Sequence, residues 1–382
     1  MKKEILGFSA FLITAICAGQ LYASEIDIVW EKTFGGTDDR YGYCVEQTSD
    51  NGFIIAGELS LFWNDEIYII RTDSDGNEIW SNTFGGPENE SGYSIQQTSD
   101  GGFIVSGYTY SFGAGRDDIY IVRIDSLGNE IWSETFGGPN DESGLCLRQI
   151  SDGNFVIAGY TESYGAGIED VYLIKIDGSG QQLWSKTFGG SKTDYGRYVE
   201  ETTDGGFIIA GQSVSFGLSV YDAYLVRTDA EGNELWSKTF GGRHADYGYC
   251  ARQTSDGGFV LTGRTRSFGD PEYSDVLFIK TDSSGNEIWT KTFGGMRNDG
   301  GRRILEAGDG GFIIAGGTSS FGAGGAYIIK TNRFGNEMWS DTLGSASSGS
   351  CQDIVKTSDG GFVVVGYKME NYDYSIYFTG IP

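Results

Sequence analysis

Residues 184–190 read Trp184-Ser185-Lys186-Thr187-Phe188-Gly189-Gly190, and a turn aspartate, Asp204, follows 20 residues after the tryptophan. Close copies of this stretch start at Trp30, Trp80, Trp132, Trp236, Trp289 and Trp339, with gaps of 50 to 53 residues. The turn aspartate recurs at the same distance each time, at Asp50, Asp100, Asp152, Asp256, Asp309 and Asp359. Self-similarity at a period near 50 marks a repeat architecture, in which one supersecondary unit is stacked many times.

Working outward, each repeat holds four strand signals. In the second repeat these are Tyr93–Thr98 (strand A), Phe103–Gly107 (B), Ile119–Ile124 (C) and Glu130–Phe136 (D). Ser99-Asp100-Gly101-Gly102 separates A from B, and Asp125-Ser126-Leu127-Gly128-Asn129 separates C from D. Such Asp-Gly and Gly-Asn turns between β-branched and aromatic runs are hairpin chemistry, because glycine accepts the positive φ they need. Beyond the first 23 residues nothing carries a helical pattern. Four-stranded meanders of this period make a β-propeller.

Strand counting fixes the blade number. The chain opens on a lone strand D, Ile26 to Phe34, and its last signal is a strand C, Asp373 to Phe378. The expected fold is therefore all-β, a seven-bladed β-propeller of four-stranded antiparallel blades. The N-terminal strand completes the last blade, which removes two open sheet edges.

Repeat lengths vary only between strands B and C. In a propeller the B–C and D–A loops share one face, and irregular loops on a rigid scaffold are where binding residues concentrate. Trp63 with Asn64 replaces the usual Gly-Ala-Gly in the first B–C loop, Tyr221 interrupts the fourth, and Asp270-Pro271-Glu272-Tyr273 lengthens the fifth. With Arg116 and Tyr164 these residues, Trp63, Tyr221 and Tyr273, make the candidate ligand face. Exposed aromatics there suit stacking on sugars or anchoring a protein. Ordinary loop drift is the alternative.

A second set recurs just before strand A: Glu90, Glu142, Asp194, Asp246 and Asp299, with Arg40 in the first repeat. Because strand A is innermost, these acids are candidates for a ring at the mouth of the central channel, attracting a cation or a basic partner. The alternative, that each acid serves its own blade by accepting loop backbone N–H groups, better suits a feature repeated in five blades. Used as a catalytic pair, two of them would make a carbohydrate-active enzyme.

Composition narrows the function. Residues 1–23 read as a signal peptide, with Lys2 and Lys3, an apolar stretch from Ile5 to Cys17 and a cleavage signal at Leu21-Tyr22-Ala23. The propeller is expected over residues 24–382 and the mature chain is expected to be exported, with no later apolar run long enough to span a bilayer. Over the whole chain 27 basic residues face 53 acidic ones, a net charge of −26. That charge repels nucleic acid and keeps a monomer dispersed, while leaving a protein, a polysaccharide or calcium as electrostatically acceptable partners. No cofactor pattern is present. The single histidine, His244, sits in a D–A loop and cannot build a histidine metal cluster or a triad. Asp73-Ser74-Asp75-Gly76-Asn77-Glu78 has its glycine two positions early for an EF-hand and reads better as a hairpin turn. Cys44, Cys146 and Cys250 share one register position in alternate repeats, so they read as buried thiols; only Cys351 falls in a neighbouring blade, beside Cys44.

The segment Asp125-Ser126-Leu127-Gly128-Asn129-Glu130-Ile131-Trp132 resembles the repeat of quinoprotein-like (PQQ-type) propellers, in which Asp, Gly and Trp staple adjacent blades. The whole unit, Thr-Ser-Asp-Gly-Gly-Phe-Ile-Ile-Ala-Gly followed by Ser-Phe-Gly-Ala-Gly, looks like the exported propeller-repeat proteins of bacteria and archaea. The resemblance covers residues 26–378 and implies the fold rather than an activity. Quinone-dependent dehydrogenases of the related family have eight blades and a vicinal disulfide; seven repeats and no adjacent cysteines set this chain apart. The expected function is that of a non-catalytic binding or structural module.

Overall fold

A computed structural model of the protein describes residues 28–218, 220–269, 272–322, 324–343, 349–370 and 373–381. The expected signal segment, the start of the first strand and the Asp270-Pro271 insertion lie outside these residues. The described residues form 28 strands in seven four-stranded antiparallel sheets, each ordered A-B-C-D from the axis outward. In blade 2 the strands are Glu90–Gln97, Phe103–Thr109, Asp118–Ile124 and Glu130–Phe136. Strands A and C begin slightly earlier than the sequence pattern indicates, and B runs two residues longer.

Burial follows position in the blade. Strand B is apolar on both faces because it lies between two neighbouring sheets, so Phe155, Val156, Ile157 and Ala158 are all buried. Strand D is outermost and keeps exposed residues, as in Glu130 and Ile131.

Each strand D tryptophan crosses to the next blade. Trp80 packs 6.1 Å from Phe103 of blade 2 and against the blade 2 turn glycine, Gly128. Gly128 has φ +84°, and a Cβ there would sit 3.1 Å from the Trp80 ring. Only glycine meets both demands.

Closure repeats this staple. Trp30–Phe34 pairs antiparallel with Asp373–Ile381 of blade 7, Trp30 opposite Gly380 and Phe34 opposite Ile376. Trp30 then lies 5.9 Å from Phe53 of blade 1. On the inner side, the Ser358 N–H of blade 7 donates to Gln47 Oε1 of blade 1 at 2.8 Å, as Ser49 does to Gln97 one blade on. The two chain ends thus meet through contacts of the kind that join blades 1 and 2.

In blades 1 to 6 the turn aspartates clamp strand C. Asp100 accepts from Thr98 Oγ1 at 2.7 Å and pairs with Arg123 Nη2 at 2.5 Å. Lysine replaces arginine in three blades, as in Lys280 with Asp256 at 2.8 Å. The four described cysteines are buried and free, Cys44 and Cys351 included.

Candidate functional site

Strand A carries one extra residue in every blade. Its register against strand B shifts between Gly92 and Ser94 in blade 2, leaving Tyr93 as the bulged residue. Ahead of the bulge Gly92 faces Gly107, where a Cβ on Gly107 would fall 1.7 Å from the Ser91 carbonyl oxygen. The close backbone approach forces glycine there and turns the next side chain toward the axis. The seven bulged residues are Tyr43, Tyr93, Leu145, Arg197, Tyr249, Arg302 and Gln352. All seven line one cavity of about 280 Å³ in the central channel, together with Arg303.

Two residues earlier in strand A lies the rim of this cavity. Here each blade pairs one strand A residue with one strand B residue, and six blades supply a tyrosine. Blades 1, 4 and 5 give it from strand A, as Tyr41, Tyr195 and Tyr247. Blades 2, 3 and 7 give it from strand B, as Tyr108, Tyr160 and Tyr367. Blade 6 has Gly300 opposite Gly317, a notch in the rim beside Arg264. The rings touch across blades: Tyr160 lies 4.9 Å from Tyr195, and Tyr41 lies 5.3 Å from Tyr367. Burial, with Asp39 adding, pushes the Tyr41 hydroxyl up to about 12, and burial does the same to Tyr93. These hydroxyls stay protonated at neutral pH and can donate as well as accept.

Arginines stand among these rings. Arg302 lies 4.7 Å and Arg197 5.5 Å from the Tyr249 centroid, while Arg264 lies 4.5 Å from that of Tyr247. Lower in the channel Arg303 pairs with Asp353 at 3.0 Å and Arg252 with Glu200 at 3.4 Å. Tyr198 is wedged between Arg148 and Arg303, with centroid distances of 5.2 and 5.4 Å. A second cavity of about 180 Å³ lies toward the A–B end, against Glu46, Arg148 and Arg252. A larger one, about 640 Å³, marks the blade 7–blade 1 seam on the opposite face, where Asp359 is its ionisable residue. It gathers no convergent charge.

The five strand A acids are not a solvent-facing ring. Glu90, Glu142, Asp194 and Asp246 are fully buried and Asp299 is 2% exposed. Glu142 accepts from Gly138 N–H of the D–A loop at 2.7 Å and from Thr161 Oγ1 and Ser163 N–H at the start of the B–C loop, at 2.6 and 3.0 Å. Glu90 repeats this set with Gly86, Thr109 and Ser111. In blades 4, 5 and 6 a shorter aspartate recruits the loop serine hydroxyl: Asp194 takes Ser215 at 2.5 Å, Asp246 Ser267 at 2.6 Å and Asp299 Ser320 at 2.6 Å. These acids lock together the two loops that frame the mouth. A buried carboxylate bonded to the loops of its own blade is poorly placed to touch a substrate, so the pattern is a clamp. Asp299 bonds through Oδ2 and leaves Oδ1 without a partner among the described residues.

The five loop residues separate. Tyr221 reaches the rim, its ring 5.4 Å from Tyr247. Arg116 is tied to Asp141 by two bonds of 3.0 and 2.6 Å, and the Tyr164 hydroxyl donates to the Gly137 carbonyl at 2.9 Å. Trp63 is 86% exposed and packs edge-on against Phe62 at 4.7 Å; Tyr273 is 37% exposed. His244 is exposed. Asp73 spends its oxygens on its own turn, accepting from Asp75 and Asn77 N–H at 2.9 and 2.8 Å. Among the described residues no group of three or more His, Cys, Asp or Glu converges as a metal site. No helix among them is long and apolar enough to cross a membrane.

Loop length pointed to the B–C/D–A face on which the rim lies, but it did not pick out the neck or most of the rim. The available signal was variation at a fixed register: after the strand A glycine the repeats read Tyr, Tyr, Leu, Arg, Tyr and Arg.

No family model matches the chain. Over 206 residues it is 25% identical to "Regulatory protein FlaEY" of Caulobacter vibrioides, a stretch that covers 45% of this chain and 22% of that protein. The chain thus spans about a fifth of that relative. Among solved structures it resembles the Pan2 WD40 domain of Neurospora crassa, at TM-score 0.56 and 12% identity, covering 91% of this chain and 90% of that one. It resembles Sqt1 of Chaetomium thermophilum, solved bound to the N-terminus of ribosomal protein L10, at TM-score 0.53 and 12% identity over 93% and 100% of the two chains. YCF48 bound to D1 peptide matches at TM-score 0.51 and 11% identity over 92% and 95%. These likenesses establish a seven-bladed propeller with WD40-type neighbours.

Proposed function

We propose that this protein is an exported, non-catalytic binding propeller that works as a monomer and grips a segment of a partner protein at the B–C/D–A mouth of its channel. The single observation that carries the reading is the tyrosine rim. Six blades each place one tyrosine at the same depth, drawn from either of two strands, around a neck of unlike residues. A structural repeat would gain nothing by making the neck differ from blade to blade; a recognition surface does. Loops fixed by buried acids keep the rim preorganised, which lowers the ordering cost of binding. Sqt1 and YCF48, solved with protein segments bound, make a protein segment the first partner to test. Export rests on the charge pattern of residues 1–23, and kinship with quinoprotein-type exported repeats rests on the Asp-Gly-Trp motif.

A cell-surface glycan is the second reading. Phe62 and Trp63, both 86% exposed on the same face, carry it as a stacking platform. The carbohydrate-active enzyme alternative loses its support, since its acids are the buried clamps.

Arrays of peptides and of glycans, probed with the intact protein, test both. The leading array peptide is expected to bind Tyr247→Ala at least about tenfold more weakly, a loss of about 1.4 kcal/mol. Unchanged binding by Tyr247→Ala would contradict the assignment of the mouth. Glycan binding lost on Trp63→Ala would favour the second reading.

A further inference from the structure

The neck of the channel carries the opposite sign of charge from the molecule around it. The chain has a net charge of −26, yet Arg197 and Arg302 face the same Tyr249 ring, and Arg264 overlies the neighbouring Tyr247. The Tyr247 and Tyr249 rings are themselves stacked, 6.3 Å apart at 14°. Two of the lower arginines have acids of their own, Asp353 for Arg303 and Glu200 for Arg252, and the third, Arg148, donates to the Leu147 carbonyl at 2.8 Å. Among the described residues neither Arg197 nor Arg302 forms an ion pair. Arg197 is also aimed: its Nε–H donates to Gln212 Oε1 at 2.7 Å, which holds the guanidinium plane and leaves its Nη groups for a ligand. Burial lowers the Arg197 pKa, with Arg302 and Arg264 adding to the effect. Like charges gathered in a part-buried cavity are costly unless an anion joins them.

We propose that this neck is an oxyanion site, in which Arg197 and Arg302 take one carboxylate or phosphate group of the partner segment admitted by the rim. The inference rests on the mouth being the binding face. A cavity of about 280 Å³ has room for one such group with the residue bearing it, not for a folded domain. The planar donor fork of arginine matches a carboxylate or phosphate edge with two parallel bonds. Tyr43, Tyr93 and Tyr249 around it supply apolar walls and hydroxyl donors, while the net negative surface disfavours loosely held anions. The site therefore selects an anion delivered on a segment that also satisfies the rim.

Three capped hexapeptides, glycine throughout except for a central glutamate, phosphoserine or glutamine, are titrated into the full chain while the arginine Nε–H signals are followed by NMR. At least one charged peptide is expected to shift the Arg197 and Arg302 signals, and the glutamine peptide is expected to leave them in place. Which charged peptide binds tells carboxylate from phosphate. Arg302→Gln should weaken that binding at least tenfold, Arg302→Lys should recover part of it, and Arg333→Gln, in the exposed turn after strand C of blade 6, should match the parent protein. The proposal is overturned if neither charged peptide shifts these signals, or if Arg302→Gln binds as Arg333→Gln does. The leading array peptide separates the two levels of the account. Loss on Tyr247→Ala with full binding by Arg302→Gln removes the oxyanion site and keeps the mouth; full binding by both removes both.

Discussion

At the residue scale, buried acids do two opposite things in this molecule. Glu46 accepts the Gln97 N–H of the next blade at 2.7 Å beside the lower channel cavity, and burial raises its pKa from 4.5 to about 7. Between those values the unfolded chain releases a proton that the folded chain keeps, so stability falls as pH rises through this window. Asp256 behaves the other way: against the upward push of burial, its Lys280 hydrogen bond draws it from 3.8 down to about 2. Its contribution is present above pH 4 and fades as pH falls toward 2. Chemical denaturation between pH 3 and 8 should therefore show greatest stability near pH 4–5. Glu46→Gln keeps an oxygen for Gln97 and should flatten the decline above pH 5, gaining about 1–2 kcal/mol at pH 8. An unaltered pH profile in Glu46→Gln would show that Glu46 is not the group responsible.

At the scale of elements, the blade is held by contacts that the repeat itself advertises. Gly128 and Gly153 share nearly the same positive φ, +84° and +85°, but only Gly128 abuts a tryptophan, while a Cβ on Gly153 meets nothing within 4 Å. Alanine at 153 should cost about 1 kcal/mol of backbone strain, and alanine at 128 about 1–2 kcal/mol more as it displaces Trp80. Paired melting curves of Gly128→Ala and Gly153→Ala check this; equal losses would mean that the tryptophan staple contributes little. The staple was legible in the sequence because Trp, turn glycine and turn aspartate recur at fixed spacing. The strand D and turn segments, Glu130–Phe136 among them, could be placed to the residue for the same reason. The neck was not legible in this way. A bulge at Tyr93 depends on how strands A and B pair, and nothing in one strand announces its register with another. Of the two readings of the strand A acids, the one in which each serves its own blade fits their hydrogen bonds. Glu90 and Asp194 sit at the channel end of the innermost strand, but loop N–H and hydroxyl groups of their own blade close over them. Their repetition reflected a structural task.

At the scale of the whole molecule, sevenfold repetition builds a rigid ring, and departures from the repeat concentrate on its axis. Closure through Trp30 and Phe53 completes the ring, and the scaffold holds all seven bulged residues around one cavity. On the proposed binding function, an acidic exterior around an arginine-bearing, tyrosine-rimmed neck sorts partners by what they insert. The most direct test of that claim is site-specific photocrosslinking in a surface extract of the source organism, with benzoylphenylalanine placed at Tyr108 on the rim or at Ile79 on outer strand D. The account predicts a discrete adduct from position 108 that excess leading array peptide suppresses, and none from position 79. An adduct formed only from position 79, or one from position 108 that the peptide leaves untouched, would contradict it.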